Sequence, residues 1–74
     1  MQRVVTRKAI NAFRRMGFVK KSQKGSHLKL ERRTSFGSKV TCVIPMHEEI
    51  RPKTFRRILQ QAGISESEFF YYYK

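Results

Sequence analysis

Two histidines, His27 and His47, are the side chains of this sequence best suited to proton transfer. His27 closes the segment Lys24-Gly25-Ser26-His27, where Lys-Gly is a turn signal, so the imidazole is predicted at the start of a strand. An imidazole titrates near neutral pH and can accept a proton from a positioned hydroxyl. RNA supplies such a hydroxyl on each ribose, and the deprotonated 2'-oxygen attacks the adjacent phosphate. His27 is therefore a candidate general base for RNA cleavage; the alternative is an ordinary surface histidine.

Basic side chains accompany this turn on both sides. Lys24 and Lys29, or backbone amides of the Gly25 turn, would offset the negative charge that builds on the phosphorane. The predicted RNA-binding residues are Lys20, Lys21, Lys24, Gly25, Ser26 and Lys29.

His47 is a secondary candidate. It follows Pro45 and Met46 in a predicted loop, with Glu48 and Glu49 beside it. A loop histidine that makes a local hydrogen bond is the alternative interpretation.

The overall charge indicates a polyanionic partner. Seventeen Lys and Arg against five Asp and Glu give a formal net charge of +12 in 74 residues. A surface of this kind raises the local concentration of phosphate and speeds encounter with nucleic acid. An apolar run near 18 residues is absent from the sequence, so a membrane-spanning segment is not expected. An acidic protein partner is compatible with the same charge.

The sequence lacks the residue patterns that most other classes of enzyme require. The two histidines, the single cysteine and the five acids contain no spaced ligand pair, so neither a metal site nor a cofactor is expected. A phosphate-cradling Gly-rich loop and a nucleophile elbow are also missing. Cys42 has apolar neighbours and is predicted to pack in a strand in a reducing compartment, which favours a cytoplasmic protein.

The hydrophobic pattern predicts two helices that enclose three strands. Thr6 is expected to cap a first helix that Gly17 ends. Strands are predicted over 18–23, 26–33 and 39–44, with Leu28 and Leu30 facing the core. Residues 46–53 are expected to be irregular, although Pro52 also suits the first turn of a helix.

A second helix is predicted from a cap at Thr54 to Gly63, and a capping box over 65–68 starts a short terminal helix. The fold class is therefore α+β, in the order α-β-β-β-α, with a three-stranded antiparallel sheet, helices on one face and a short C-terminal helix, in one domain over 1–74. Phe69 and Phe70 of the aromatic run 69–73 are interpreted as core or partner-interface residues, with base stacking as the alternative.

Four segments resemble one known family in order and spacing. They are Gly17-Phe18, the turn at 24–27, Val-Ile-Pro-Met-His at 43–47, and the stretch 52–64. Together they resemble the HicA mRNA interferase toxins of toxin-antitoxin pairs. The sequence departs from the family pattern at Glu48, Glu49 and Lys53.

The resemblance implies a fold like the double-stranded-RNA-binding domain and metal-independent cleavage of mRNA by the toxin of a type II pair. It also implies a HicB-type antitoxin that covers the active site. The catalytic histidine of the family corresponds to His27, and a second family histidine corresponds to His47 without an assigned role.

Two alternatives stay open at this point. The same scaffold binds duplex RNA by its shape without chemistry, which would make this a non-catalytic RNA-binding module. A basic surface that chiefly binds an acidic partner protein would also account for the net positive charge.

Overall fold

The computed structural model describes residues 3–74, so the first two residues of the predicted domain lie outside the described part. The elements in chain order are β1 (Val4–Val5), α1 (Thr6–Arg15), β2 (Val19–Lys24), β3 (His27–Arg33), β4 (Lys39–Pro45), β5 (Glu49–Ile50), α2 (Pro52–Ala62) and α3 (Glu66–Tyr72).

The main sheet is antiparallel, with the strand order β2-β3-β4. Side chains alternate between its faces, so Leu28 and Leu30 of β3 are buried with Cys42 and Ile44 of β4. These four residues share one hydrophobic core with α1, α2 and α3. The predicted α+β class, with helices over one face of a three-stranded sheet, is confirmed. The other face, which includes His27 and Lys29, is exposed.

The edge strand β2 contains an irregularity at Lys21. Lys20 pairs with Leu30, whereas Ser22 already pairs with Lys29, so one extra residue lies between them on β2. Directly paired residues share a face of the sheet. The bulge therefore reverses the alternation along β2 and places Lys24 on the exposed face with its partner His27.

A second, two-stranded sheet joins the start of the chain to the segment before α2. Val4 pairs with Ile50 and Val5 with Glu49. Residues 46–53 were expected to be irregular, and the strand at Glu49–Ile50 corrects that prediction. This pairing ties the chain after β4 to the N-terminus of α1.

The first helix begins one residue earlier than expected. Val5 occupies the cap position and Thr6 is the first helical residue, so the prediction that Thr6 caps α1 is wrong. The amide of Thr6 donates instead to the carbonyl of Glu48 at 3.1 Å, which satisfies one free N–H group of the helix start. Gly17, with φ 100°, ends the helix as predicted.

The second helix starts at Pro52 and ends at Gly63 in the left-handed conformation. Arg51 is its cap residue, so Thr54 is not the cap and that prediction is also wrong. Proline fits the first helical position because its missing N–H would have no intrahelical acceptor there. The short helix α3 is capped as predicted, since the amide of Glu68 donates to Ser65 Oγ at 3.1 Å.

Aromatic rings fill the centre of the core. Phe69 of α3 is fully buried, and its ring centroid lies 4.8 Å from that of Phe55 and 5.4 Å from that of Phe13. Tyr73 stacks on Phe69, and its hydroxyl accepts a hydrogen bond from the amide of Val5 at 2.8 Å. The predicted core role of Phe69 is confirmed, while Tyr71 is 73% exposed.

Candidate functional site

His27 is the first residue of β3 and is exposed. The two residues before it, Gly25 and Ser26, form the turn between β2 and β3. Gly25 has φ 59°, and a Cβ atom built there would meet no atom within 4 Å. The glycine is therefore required by the backbone conformation, as at the first central position of a two-residue hairpin turn, and not by a close neighbour.

Two of the predicted RNA-binding lysines share the exposed face with His27. Lys24 is its direct partner across the β2–β3 pair, and Lys29 lies two residues further along β3. Both lysines are exposed. Lys20 pairs with Leu30 and thus belongs to the opposite face at the open edge, and Lys21 lies at the bulge. The fold therefore brings Lys24 and Lys29 together with His27, but not Lys20.

A cleft opens from His27 towards α2. One wall is formed by the ends of β3 and β4, another by α2, and the rest by the segment that links β4 to α2. Its volume of about 930 Å³ is within the range of small-molecule and cofactor sites. The residues that line it include His27, Val43, Pro45, His47, Glu48, Glu49, Arg51, Thr54, Arg57 and Gln61. The two candidate histidines thus line the same cleft.

The loop that carries His47 is fixed on both sides of that residue. The amide of Met46 donates to the carbonyl of Ser26 at 2.6 Å, which extends the β3–β4 ladder past the pair His27–Pro45. The carbonyl of Glu48 accepts from the amide of Thr6 at 3.1 Å. His47 is the residue between these two backbone hydrogen bonds, so its Cα position follows from the fold.

Arginines of the cleft were not among the predicted site residues. Arg51 and Arg57 line it together with Arg3, whose Nε lies 2.7 Å from Glu49 Oε1 in an exposed ion pair. Thr54, Arg57 and Gln61 of α2 follow the spacing i, i+3, i+7 of one helix face. That spacing was present in the sequence and could have identified this wall of the cleft.

Gln61 also closes the outer edge of the sheet. Its side-chain Oε1 accepts a hydrogen bond from the amide of Val43 at 3.2 Å. β4 is the last strand on this side, and an unpaired amide there would otherwise face solvent or another chain. The contact joins α2 to β4, and both of its residues line the cleft.

Cys42 is not a nucleophile for this site. Its side chain is 1% exposed, and burial raises the pKa of the thiol from 9.0 to about 11. The thiolate is the reactive form, so a neutral buried thiol is inert near pH 7. Cys42 packs in β4 as predicted. Within residues 3–74, no three His, Cys, Asp or Glu side chains are grouped so as to hold a metal ion.

Comparison with known proteins identifies the family. A search of curated proteins gives no significant match. None of the helices within residues 3–74 has the length and apolar character needed to cross a membrane. The family model for the HicA toxin of bacterial toxin-antitoxin systems matches residues 6–64, which include β2–β4, both histidines and α2. The match covers well over half of the 74 residues, and the chain therefore belongs to the HicA toxin family of bacterial toxin-antitoxin systems.

Proposed function

We propose that this toxin is a metal-independent endoribonuclease that cleaves mRNA in the cytoplasm, with His27 as the general base. The observation that carries the proposal is the position of His27 on the exposed sheet face, beside Lys24 and Lys29 and at the wall of the cleft. Membership of a toxin family adds a reason for an activity that harms the cell.

The reaction uses the ribose as its own nucleophile. His27 takes the proton of the 2'-hydroxyl, and the 2'-oxygen forms a bond to the adjacent phosphorus. The bond from phosphorus to the 5'-oxygen of the next nucleotide breaks, and that oxygen receives a proton. The products are a 2',3'-cyclic phosphate and a free 5'-hydroxyl. A positioned base of this kind contributes about 10²- to 10⁴-fold to the rate.

Negative charge on the phosphorane requires nearby cations or N–H donors. Lys24 and Lys29 are the cations on the face of His27, and the turn at Gly25 and Ser26 lets the RNA backbone approach without a side chain at Gly25. Lys20 and Lys21 would extend the contact along the edge of β2. Because phosphate contacts are made by charge, they fix position without selecting sequence.

The partner that restrains this activity is proposed to be a HicB-type antitoxin. A net charge of +12 favours a partner with acidic residues at its interface. A protein that covers the cleft and the face with Lys24 and Lys29 would exclude RNA from His27, which is sufficient for inhibition.

The test is cleavage of a 5'-labelled mRNA by the purified chain in EDTA, compared with His27→Gln. We expect cuts in EDTA that end in a 2',3'-cyclic phosphate, and at least a 100-fold loss of rate in the variant. Its melting temperature should stay unchanged because His27 is exposed. If His27→Gln cuts as fast as the parent, the assignment is wrong. If the parent binds duplex RNA for hours without shortening it, the chain is an RNA-binding module.

A charge-matched pair of variants tests the binding surface. Lys29→Ala removes a cation beside His27, whereas Lys74→Ala removes the same charge at the end of the chain. If Lys29 contacts a phosphate, its loss should reduce the slope of log K against log salt by about 0.7 for single-stranded RNA. Lys74→Ala should leave the slope unchanged. Equal slopes in the two variants would show that Lys29 does not contact an RNA phosphate.

A further inference from the structure

We propose that His47 is the general acid that protonates the leaving 5'-oxygen. The inference depends on the proposed role of His27 as the base, and it assigns the second proton transfer of the same reaction. It starts from the placement of both histidines along one cleft.

The backbone limits how far apart the two histidines are. His27 pairs directly with Pro45, and His47 follows Pro45 by two residues. Paired Cα atoms of antiparallel strands lie at most about 5.5 Å apart, and two extended residues add at most about 7.2 Å, so the two Cα atoms are within about 13 Å. The hydrogen bonds of Met46 and Glu48 hold this spacing. Both residues line the same cleft, and two imidazoles on Cα atoms this close span one phosphodiester when both extend into that cleft.

The leaving group needs a proton that the other cleft residues are poorly suited to give. The departing 5'-oxygen is an alkoxide, and expelling it from phosphorus without a proton is slow. Arg51 and Arg57 carry guanidinium groups, which do not act as acids, and the side chain of Glu49 is engaged in an ion pair with Arg3 at 2.7 Å. An imidazole exists in both protonation states near neutral pH, so it can accept a proton or give one. With His27 assigned to the 2'-hydroxyl, His47 is the imidazole left for the 5'-oxygen.

The two steps balance without a metal ion. His27 ends the reaction with the proton of the 2'-hydroxyl, and His47 ends it neutral after giving its proton to the 5'-oxygen. Exchange with water returns both side chains to their starting states. Both histidines are exposed, so this exchange is open.

A leaving group that needs no proton separates the two roles. The cut site is first mapped on a labelled RNA, and the bridging 5'-oxygen at that bond is then replaced by sulfur, because a thiolate leaves without a general acid. We expect His47→Gln to cut the oxygen substrate about 10²- to 10⁴-fold more slowly than the parent. On the sulfur substrate its rate should return to within about tenfold of the parent rate. His27→Gln should stay slow on both substrates.

The ratio of the cleavage rate on the sulfur substrate to that on the oxygen substrate, measured in one preparation, distinguishes a catalytic effect from a folding defect. Partial unfolding of His47→Gln would slow both substrates equally and leave the sulfur-to-oxygen ratio at the parent value. Thr54→Ala changes another cleft residue, and its ratio should match the parent. An unchanged ratio in His47→Gln, or a parent rate on the oxygen substrate, overturns the role of His47. Failure of the proposed function is recognised separately, because His27→Gln would then cleave at the parent rate.

Discussion

Replacing Phe69 by alanine should remove much of the stability of this protein. Phe69 lies in α3, beyond the last residue matched by the family model, yet its side chain is fully buried between Phe55, Phe13 and Tyr73. The variant leaves a cavity where three aromatic rings meet. A residue outside the family match therefore contributes to the core of the fold.

The expected loss is about 3–5 kcal/mol, the usual cost of Phe→Ala at a buried site. Native stability of a chain of 74 residues is roughly 4–11 kcal/mol. The substitution therefore removes a large part of it. At about 4–8 °C per kcal/mol for domains of this size, the melting temperature should fall by at least about 12 °C.

Urea and thermal unfolding followed by circular dichroism measure this difference directly. Tyr71→Ala is the matched control, because Tyr71 is an aromatic residue of the same helix that is 73% exposed. Its cost should stay within about 0.5 kcal/mol. A loss below about 1 kcal/mol for Phe69→Ala, or equal losses in the two variants, would refute the assignment of Phe69 to the core.

Three further predictions concern stability. Gly25→Ala, at φ 59°, should cost about 1–2 kcal/mol in urea titrations, while Ser26→Ala in the same turn should cost less than about 0.5 kcal/mol. Burial raises the pKa of Cys42 from 9.0 to about 11, so the stability given by its neutral thiol is complete below pH 9 and is lost as pH rises towards 11. That loss, about 2–3 kcal/mol, should be absent from Cys42→Ala, which keeps every Tyr and Lys. The hydroxyl of Thr6 is buried without a hydrogen-bond partner among residues 3–74, so Thr6→Val should raise the free energy of unfolding by about 1 kcal/mol in the same titration.

Local patterns were sufficient to predict the main sheet and three of the helix ends. Leu28 and Leu30 alternate with polar residues, and Gly17, Gly63 and Ser65 are terminal residues whose effect depends on the nearest turn of chain. Such features act over a few residues, so the sequence alone carries them.

The remaining elements depend on contacts between distant segments. The pair Val4–Ile50 joins two strands of two residues each, too short for any periodicity to indicate a strand. The same pairing brings Glu48 to the amide of Thr6, so α1 begins at Thr6 without a side-chain cap. Tertiary contact here overrode a local cap preference, as it often does.

The candidate site likewise contains residues placed by local sequence and residues placed by contacts between distant segments. His27, Lys24 and Lys29 were predicted together because the hairpin turn and its two strands are local in sequence. The position of His47 along the same cleft was not, because it depends on two backbone hydrogen bonds to remote residues. Lys20 was also predicted to bind RNA. The bulge at Lys21 places Lys20 on the opposite face of the sheet from His27, and the residue pattern of β2 does not indicate this bulge.

The bulge in β2 also bears on solubility. β2 is an outer strand with every side chain exposed, and a straight outer strand is a template on which another chain can add. A bulge twists the strand away from that geometry, and charged lysines repel a second copy. Shortening β2 by deleting Lys21 would leave Lys24 beside His27 while making the strand regular. Such a variant would keep Lys24 and Lys29 on the face of His27 and yet be more prone to aggregate edge to edge.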